Sequence, residues 1–394
     1  MTSPKLLAGI RVLDLSRILA GPWSGQILAD YGADVIKVER PGAGDDTRTW
    51  GPPWFGDAAD RMSAYYLSAN RGKRSIAIDI ATAEGEALVK KMAAQADVLL
   101  ENYKVGQLAK YGLDFAALSA LNPRLVYCSI TGYGQTGPYA PAAGYDFAIQ
   151  ATGGLMSITG EKDGTPGSQP QKAGVAVADL FTGVYATTAI LAALVERGRT
   201  GRGRHIDAAL LDTQVTMMAN PASNYLVGGK VPKRMGNAHL NVVPYQVFPT
   251  QDGHMVIAIG NDGQFARFCQ LNDRPEVAQD PRFVTNSARL ANRDALEEIL
   301  AGWLRTRSTR AWTDLLEPNA VPCAPILEVP EVFAHPQVIE RGMKFTQAGM
   351  PMIATPMRFD GQRPVADQAP PQLDQHGDAI RAALVKSDEW PERR

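Results

Sequence analysis

The chain has 394 residues, 45% apolar and 21% charged, the proportions of an ordinary globular enzyme long enough for two domains. A formal net charge of −1 gives no electrostatic reason to expect nucleic acid or a membrane surface as partner. No uninterrupted apolar run approaches membrane-spanning length, and Met1-Thr2-Ser3-Pro4-Lys5 carries no signal-peptide core, so a cytoplasmic location is expected. Cys128, Cys269 and Cys323 stand far apart in apolar surroundings and are expected to be buried free thiols. His205, His239, His254, His335 and His376 show no metal-ligand spacing, so no metal site is expected.

Gly9 to Leu15 reads as a strand, followed by Ala20-Gly21-Pro22 and a helix from Trp23 to Tyr31. Trp23, Ile27, Leu28 and Tyr31 share one face of that helix, and Gly32 suits its C-terminal cap. Ala33 to Arg40 is a second strand. This β–α–β unit seeds a parallel, Rossmann-like sheet, but it lacks the GxGxxG of a dinucleotide site. Further strands are predicted at Ser75 to Ile80, Asp97 to Glu101, Leu125 to Ile130 and His205 to Ala208, with Thr82 capping an intervening helix. Asn102-Tyr103-Lys104 follows a strand's carboxyl end, where open α/β sheets bind ligands. The loop from Thr131 to Gly144, rich in Gly, Pro and Tyr, is long enough to suggest function.

A change of composition over Gly228 to Asn237 suggests a crossing into a smaller α+β unit. There a hairpin is predicted from Tyr245 to Phe248 and His254 to Ile259, with helices at Gln264 to Leu271 and Asp294 to Thr306. Proline-bearing extended segments then run back toward the first region, ending in a helix at Gly377 to Lys386 and a polar tail prone to fray. The expected domains are 1–225, 226–330 and a returning segment 331–394.

The stretch around which the rest is arranged is Ala173 to Tyr185, a run of small and β-branched residues interrupted by one carboxylate, Asp179. An apolar helix is predicted from Leu180 to Leu194, which puts Asp179 at its N-cap. Helix amides and the helix dipole are then expected to hold it ionised. A cap is a sufficient reason for an aspartate here. The small neighbours Gly174, Ala176, Ala178 and Gly183 also suit a site that must admit a substrate, where a carboxylate can act as a nucleophile toward an acyl group.

Several ordered motifs carry a resemblance. Arg17-Ile18-Leu19-Ala20-Gly21-Pro22, Gly32 to Glu39, Asn70-Arg71-Gly72-Lys73-Arg74-Ser75, Glu101-Asn102-Tyr103, Gly132 to Pro138, Gly144-Tyr145-Asp146 and the Asp179 stretch resemble the class III coenzyme A transferases from about Gly9 to the C-terminus. Val243 to Phe248, Gly260 to Phe265 and Val321 to Ile326 are most similar to the branch that exchanges CoA between succinyl-CoA and glutarate or hydroxymethylglutarate.

The resemblance implies an α/β large domain, a small domain, and a homodimer of two chains threaded through each other as interlocked rings. It implies that Asp179 attacks the thioester of an acyl-CoA, with CoA and a free carboxylic acid as substrates and no tightly bound cofactor. By motif position, Arg40 would lie along the adenine and Lys73 and Lys110 near the CoA phosphates. Leu19, Ala20, Asn102, Tyr103, Lys104 and Ala142 to Tyr145 would line the CoA channel. Each lysine or arginine taken alone is more often a solvated surface charge, and only co-location with Asp179 would raise it above that. Arg17 is a candidate for the distal carboxylate of a dicarboxylic acid, or a structural ion pair with Asp14 or Glu39. His239 either contacts a substrate carboxylate or sits at a domain interface. Gly236 to Asn241 stands where formyl-CoA transferases carry a glycine-rich lid, and its bulk argues against oxalate or formate.

The nearest rival is an acyl-CoA racemase of the same family. Such racemases carry Gly-His-Asp where this chain has Gly144-Tyr145-Asp146, and tyrosine, with a reference pKa near ~10, is a poor base at neutral pH. A catalytically silent CoA-binding protein is the other alternative, and the presence of Asp179 speaks against it.

Overall fold

The computed structural model describes residues 5–58, 60–387 and 389–391. The start read for a leader, residues 1–4, and the tail residues 388 and 392–394 lie outside the described residues. Six short segments form the main sheet: β1 (Arg11–Asp14), β2 (Asp34–Glu39), β3 (Lys73–Ala77), β4 (Val98–Glu101), β5 (Val126–Thr131) and β6 (His205–Ala209). All neighbours are parallel, in the order β3-β2-β1-β4-β5-β6. The order reverses between β1 and β4, so the loops leaving their carboxyl ends diverge and open a crevice there.

Strand alternation sorts the core into two layers. Val12, Val35, Val98, Leu100, Val126, Cys128 and Ile130 face helices α1 (Ala20–Asp30) and, further along the chain, the long helix that carries Asp179. Leu13, Ile36, Ile76, Leu99 and Tyr127 face the opposite layer, α2 (Ala83–Ala93) and α3 (Phe115–Leu121). Thr82 caps α2 as expected, its hydroxyl accepting the Gly85 amide at 3.0 Å.

Helix α1 departs from its predicted face. Trp23, Ile27 and Tyr31 are only part-buried, whereas Ser24, Gly25, Gln26, Ala29 and Asp30 are buried with Leu28. Small and hydrogen-bonded residues win the inner face because the neighbouring helix approaches closely. A Cβ on Gly183 would sit 2.6 Å from the Ala20 carbonyl oxygen. Ser24 and Thr187 share a hydrogen bond across this contact at 2.9 Å.

That neighbour follows α4 (Asp146–Thr152) and is α5 (Val177–Thr200). It has 24 residues and contains an 18-residue window of mean hydropathy 1.6, so by length and composition it is long and apolar enough to cross a membrane, although Asp179 interrupts the run. Ala178, Thr182, Gly183, Ala186, Ile190 and Ala193 are buried in the core layer, and buried Arg197 pairs with Asp97 at 2.8 Å. Phe181, Val184 and Tyr185 are each about half exposed on the other face.

The chain divides into two compact units: residues 1–155, 173–219 and 336–394, and residues 156–172 with 220–335. The polar stretch 156–172 thus leaves the first 225 residues for the second unit, where Lys162 pairs with Asp294 at 3.0 Å and Asp163 pairs with Arg234. The second unit holds an antiparallel sheet of β7 (Tyr245–Pro249), β8 (His254–Ala258) and β9 (Cys323–Pro325), with Met255 opposite Phe248 and Ile257 opposite Cys323. Phe248, Phe265, Phe268, Leu296, Leu300 and Trp312 fill its core.

In the first unit the C-terminal segment covers the β3 edge. The Gly72 amide donates to the Gln368 carbonyl (2.8 Å), the His376 amide to the Ser75 carbonyl (3.0 Å), and the Ala77 amide to the Asp374 carboxylate (2.7 Å). The final helix spans Gly377–Lys386, as predicted. Cys128 and Cys269 are buried and Cys323 half-buried, all as free thiols; burial pushes the Cys269 thiol up to about 12 and that of Cys323 up to about 11.

Candidate active site

Helix α5 starts earlier than predicted, at Val177, so Asp179 is its third residue and not its cap. The N-cap position belongs to Ala176, which has no side chain to offer the exposed amides. Asp146, the first residue of α4, supplies the acceptor: its Oδ1 takes the amides of Ala178 (2.8 Å) and Asp179 (3.2 Å). Gln150, one turn later, donates through Nε2 to Asp146 Oδ2 (2.6 Å) and accepts the Ala173 amide through Oε1 (2.9 Å). Residues 173–179 are therefore clamped by two polar side chains of α4. Asp146 was legible only as part of Gly144-Tyr145-Asp146; nothing in the sequence spacing shows that it caps a helix some thirty residues on.

Asp179 faces a cavity of about 210 Å³ at the carboxyl end of the sheet. Its lining brings together Arg17, Leu19, Ala20, Asn102, Tyr103, Lys104 and Tyr145 with Asp146 and Asp179. The roof is tight. Gly132 and Gly144 also line the cavity, and a Cβ on either would fall within 2.4 Å of the other's Cα, so only glycines let these two loop segments cross.

The wall that includes Arg17 and Ala20 is held by backbone hydrogen bonds. Asn102 accepts the Arg17 amide at Oδ1 (2.9 Å) and donates from Nδ2 to the Arg17 carbonyl (2.7 Å). The Arg17 guanidinium pairs with Asp46 at 2.8 Å, not with Asp14 or Glu39, and its centre lies 5.8 Å from the Tyr103 ring. Its buried Nε has no hydrogen-bond partner among the described residues.

The electrostatics reverse the expectation for Asp179. Burial raises its pKa to about 7, and the Asp146 carboxylate adds to the rise. No described donor reaches the Asp179 carboxylate, because the amides that would have stabilised its charge are spent on Asp146. Near neutrality Asp179 is thus a relatively basic carboxylate beside an apolar wall. Such a group can attack an activated acyl carbon. Glu101, at the end of β4, is also pushed up to about 7, by burial. It accepts the Tyr103 amide at 2.8 Å, next to the segment 102–104 that lines the cavity beside Arg17.

Four predicted site residues are not assembled with these. Lys73 is a correction: fully buried, it donates to Asp14 (2.9 Å), the Pro22 carbonyl (2.8 Å) and Asn70 (3.0 Å), so all three protons are committed and no phosphate can reach it. Burial lowers its pKa to about 8 against the pull of Asp14. Arg40 is exposed, 4.0 Å from Asp46 and outside the cavity lining. Lys110 is exposed on the short 3₁₀ turn Leu108–Tyr111. His239 belongs to the second unit, where it stacks obliquely on Tyr245, its ring centre 5.2 Å away, and accepts the Asn241 amide at Nδ1 (3.0 Å). Among the described residues no group of three or more His, Cys, Asp or Glu side chains could hold a metal ion.

A doubly wound α/β unit with a ligand-sized crevice at its switch point, and a carboxylate set into that crevice on a helix, is the frame of an α/β enzyme able to use a carboxylate nucleophile. The chain belongs to CoA-transferase family III, whose model matches residues 7–377, and it is a CoA-transferase. It is 50% identical over 386 residues to a succinate–glutarate CoA-transferase of Agrobacterium fabrum, covering 96% of this chain and 95% of that one. It is 44% identical over 394 residues to the human succinyl-CoA:glutarate CoA-transferase, covering 99% and 88%. Among solved structures, a CaiB/BaiF family protein from Brucella suis is 52% identical, with a TM-score of 0.87 over 97% of this chain and 100% of that one.

Proposed function

We propose that this enzyme moves CoA from succinyl-CoA to glutarate, with Asp179 as the covalent carrier. The observation that carries the reading is Asp179, a carboxylate with no hydrogen-bond donor among the described residues, facing a cavity lined by Arg17, Leu19, Ala20, Asn102, Tyr103 and Lys104. The names of the relatives above supply the acids.

The Asp179 carboxylate attacks the thioester carbon of succinyl-CoA; the C–S bond breaks, leaving a mixed anhydride and CoA thiolate. The thiolate attacks the aspartyl carbonyl and expels succinate, giving an aspartyl-CoA thioester. Glutarate attacks that thioester, breaking its C–S bond to release CoA thiolate and form a second anhydride; the thiolate then attacks the glutaryl carbonyl, giving glutaryl-CoA and freeing the Asp179 carboxylate. No water enters any step, so the acyl energy survives only if water is kept out. The apolar Leu19 and Ala20 in the lining favour that exclusion.

A raised pKa suits Asp179 to this role, since a more basic carboxylate is the better nucleophile once ionised. Arg17 would take the distal carboxylate shared by succinyl and glutaryl groups. Lys104, Asn102, Tyr103 and Tyr145 would line the path of the pantetheine arm, with Arg40 and Lys110 outside it near the adenine and phosphates. CoA here is substrate; no resident prosthetic group is required. The working form would be the interlocked homodimer, which would cover Phe181, Val184 and Tyr185, and its compartment the cytoplasm.

The test is a matrix of acyl-CoA donors against mono- and dicarboxylate acceptors. Succinyl-CoA with glutarate should give the highest kcat/KM. Equal use of acetate and glutarate would contradict a pocket for the distal carboxylate.

A further inference from the structure

Ile18 has φ +70°. A β-branched side chain in the left-handed region is a genuine outlier, kept only where surroundings over-determine it. The surroundings here are three tertiary grips on successive residues. The Ser16 carbonyl accepts from Lys37 Nζ at 2.7 Å. Arg17 is held at both its amide and its carbonyl by Asn102. The Ile18 amide donates to both oxygens of Asp45, each at 3.2 Å.

Asp45 is itself fixed. Its Oδ2 pairs with Lys37 at 2.9 Å with neither side chain exposed, and its Oδ1 accepts the Thr47 amide (3.0 Å) and hydroxyl (2.8 Å). Lys37 and these hydrogen bonds hold its carboxyl down at about 2, so it is ionised whenever the protein is folded near neutrality. One buried ion pair thus grips the turn at two points, Ser16 through Lys37 and Ile18 through Asp45. Ile18 itself and its neighbours Arg17 and Leu19 line the cavity that Asp179 faces.

We propose that Asp45 is a positioning residue for CoA transfer: it holds Ile18 in the left-handed conformation, and that single dihedral sets the wall from Arg17 to Ala20 against which the acyl group is presented. The inference rests on the proposed site and goes beyond it, since Asp45 lies outside the cavity lining and reaches the site through backbone it holds, directly at Ile18 and by way of its partner Lys37 at Ser16.

The experiment is a double-mutant cycle of Asp45→Asn and Ile18→Gly, read as kcat/KM and, separately, as CoA dissociation constant by calorimetry. Glycine adopts φ +70° without a steric penalty and needs no external grip to reach it. In the parent chain Asp45→Asn should lower kcat/KM by about 10–100-fold, the scale of a displaced wall. In the Ile18→Gly background the same change should cost less than about threefold, a coupling far outside additive behaviour. Equal losses in both backgrounds would overturn the proposal and leave Asp45 as a charge partner for Lys37 alone.

Should Asp45→Asn fail to fold in the parent chain, folding restored by Ile18→Gly supports the proposal and failure in both backgrounds refutes it. Failure of the functional reading looks different: the parent enzyme would not exchange CoA between succinyl-CoA and glutarate, while the cycle would still be decided on CoA binding.

Discussion

The carboxylate of Asp146 accepts the amide of Asp179, and of Ala178 before it, so one acid caps the helix that presents the other. The pair has two separable effects: the hydrogen bonds place Asp179, and the charge makes it more basic. Asp146→Asn keeps an acceptor oxygen and removes the charge, so kcat should fall modestly while the acid limb of the pH profile moves down. Asp146→Ala loses both, and kcat should drop about 10–100-fold, as expected for a displaced reacting group. Steady-state rates of the two variants between pH 5 and 9 check this.

The Asp179 pKa of about 7 predicts that kcat/KM falls as pH drops below neutrality, because the protonated carboxyl is no nucleophile. Glu101 titrates in the same range, from burial. The limb should therefore persist in Glu101→Gln. Its disappearance there would move the titration from Asp179 to Glu101.

Arg17 offers the guanidinium for a distal carboxylate, with Asp46 as its present partner. Arg17→Met should raise KM for glutarate about 10–100-fold, the loss of one charge-assisted hydrogen-bonding group, and leave butyrate unchanged as an acceptor. Parallel losses for both acids would assign Arg17 to holding its loop.

Lys73→Met removes one half of the fully buried pair with Asp14, which should cost about 3–5 kcal/mol of stability. Thermal unfolding should shift sharply, while CoA affinity of the folded fraction keeps its salt dependence. A loss of CoA affinity without a loss of stability would return Lys73 to the phosphate site.

Much of the first unit was legible because most of its strands carry β-branched and apolar residues between Gly- and Pro-bearing turns, and the order of motifs indicated which loops reach the sheet's carboxyl end. Arg17, Leu19, Ala20, Asn102, Tyr103, Lys104, Tyr145 and Asp179 are gathered around one cavity. Long-range polar contacts were not legible. Lys73 looks like any cation in a basic motif until the C-terminal segment covers its strand and Asp14 takes its charge. The Asp179 pKa went the other way from expectation because a cap placed on residue 179 by spacing is supplied from residue 146 by folding. Likewise the inner face of α1 is chosen by the close approach of Gly183, which hydrophobic periodicity within α1 cannot register.

The most direct measurement of the central claim is chemical trapping during turnover. Enzyme mixed with succinyl-CoA and glutarate is quenched with hydroxylamine, digested, and its peptides weighed. A hydroxamate on Asp179, absent without succinyl-CoA and absent from Asp179→Ala, is the predicted result. A hydroxamate on any other side chain, or turnover by Asp179→Ala at the parent rate, would contradict it.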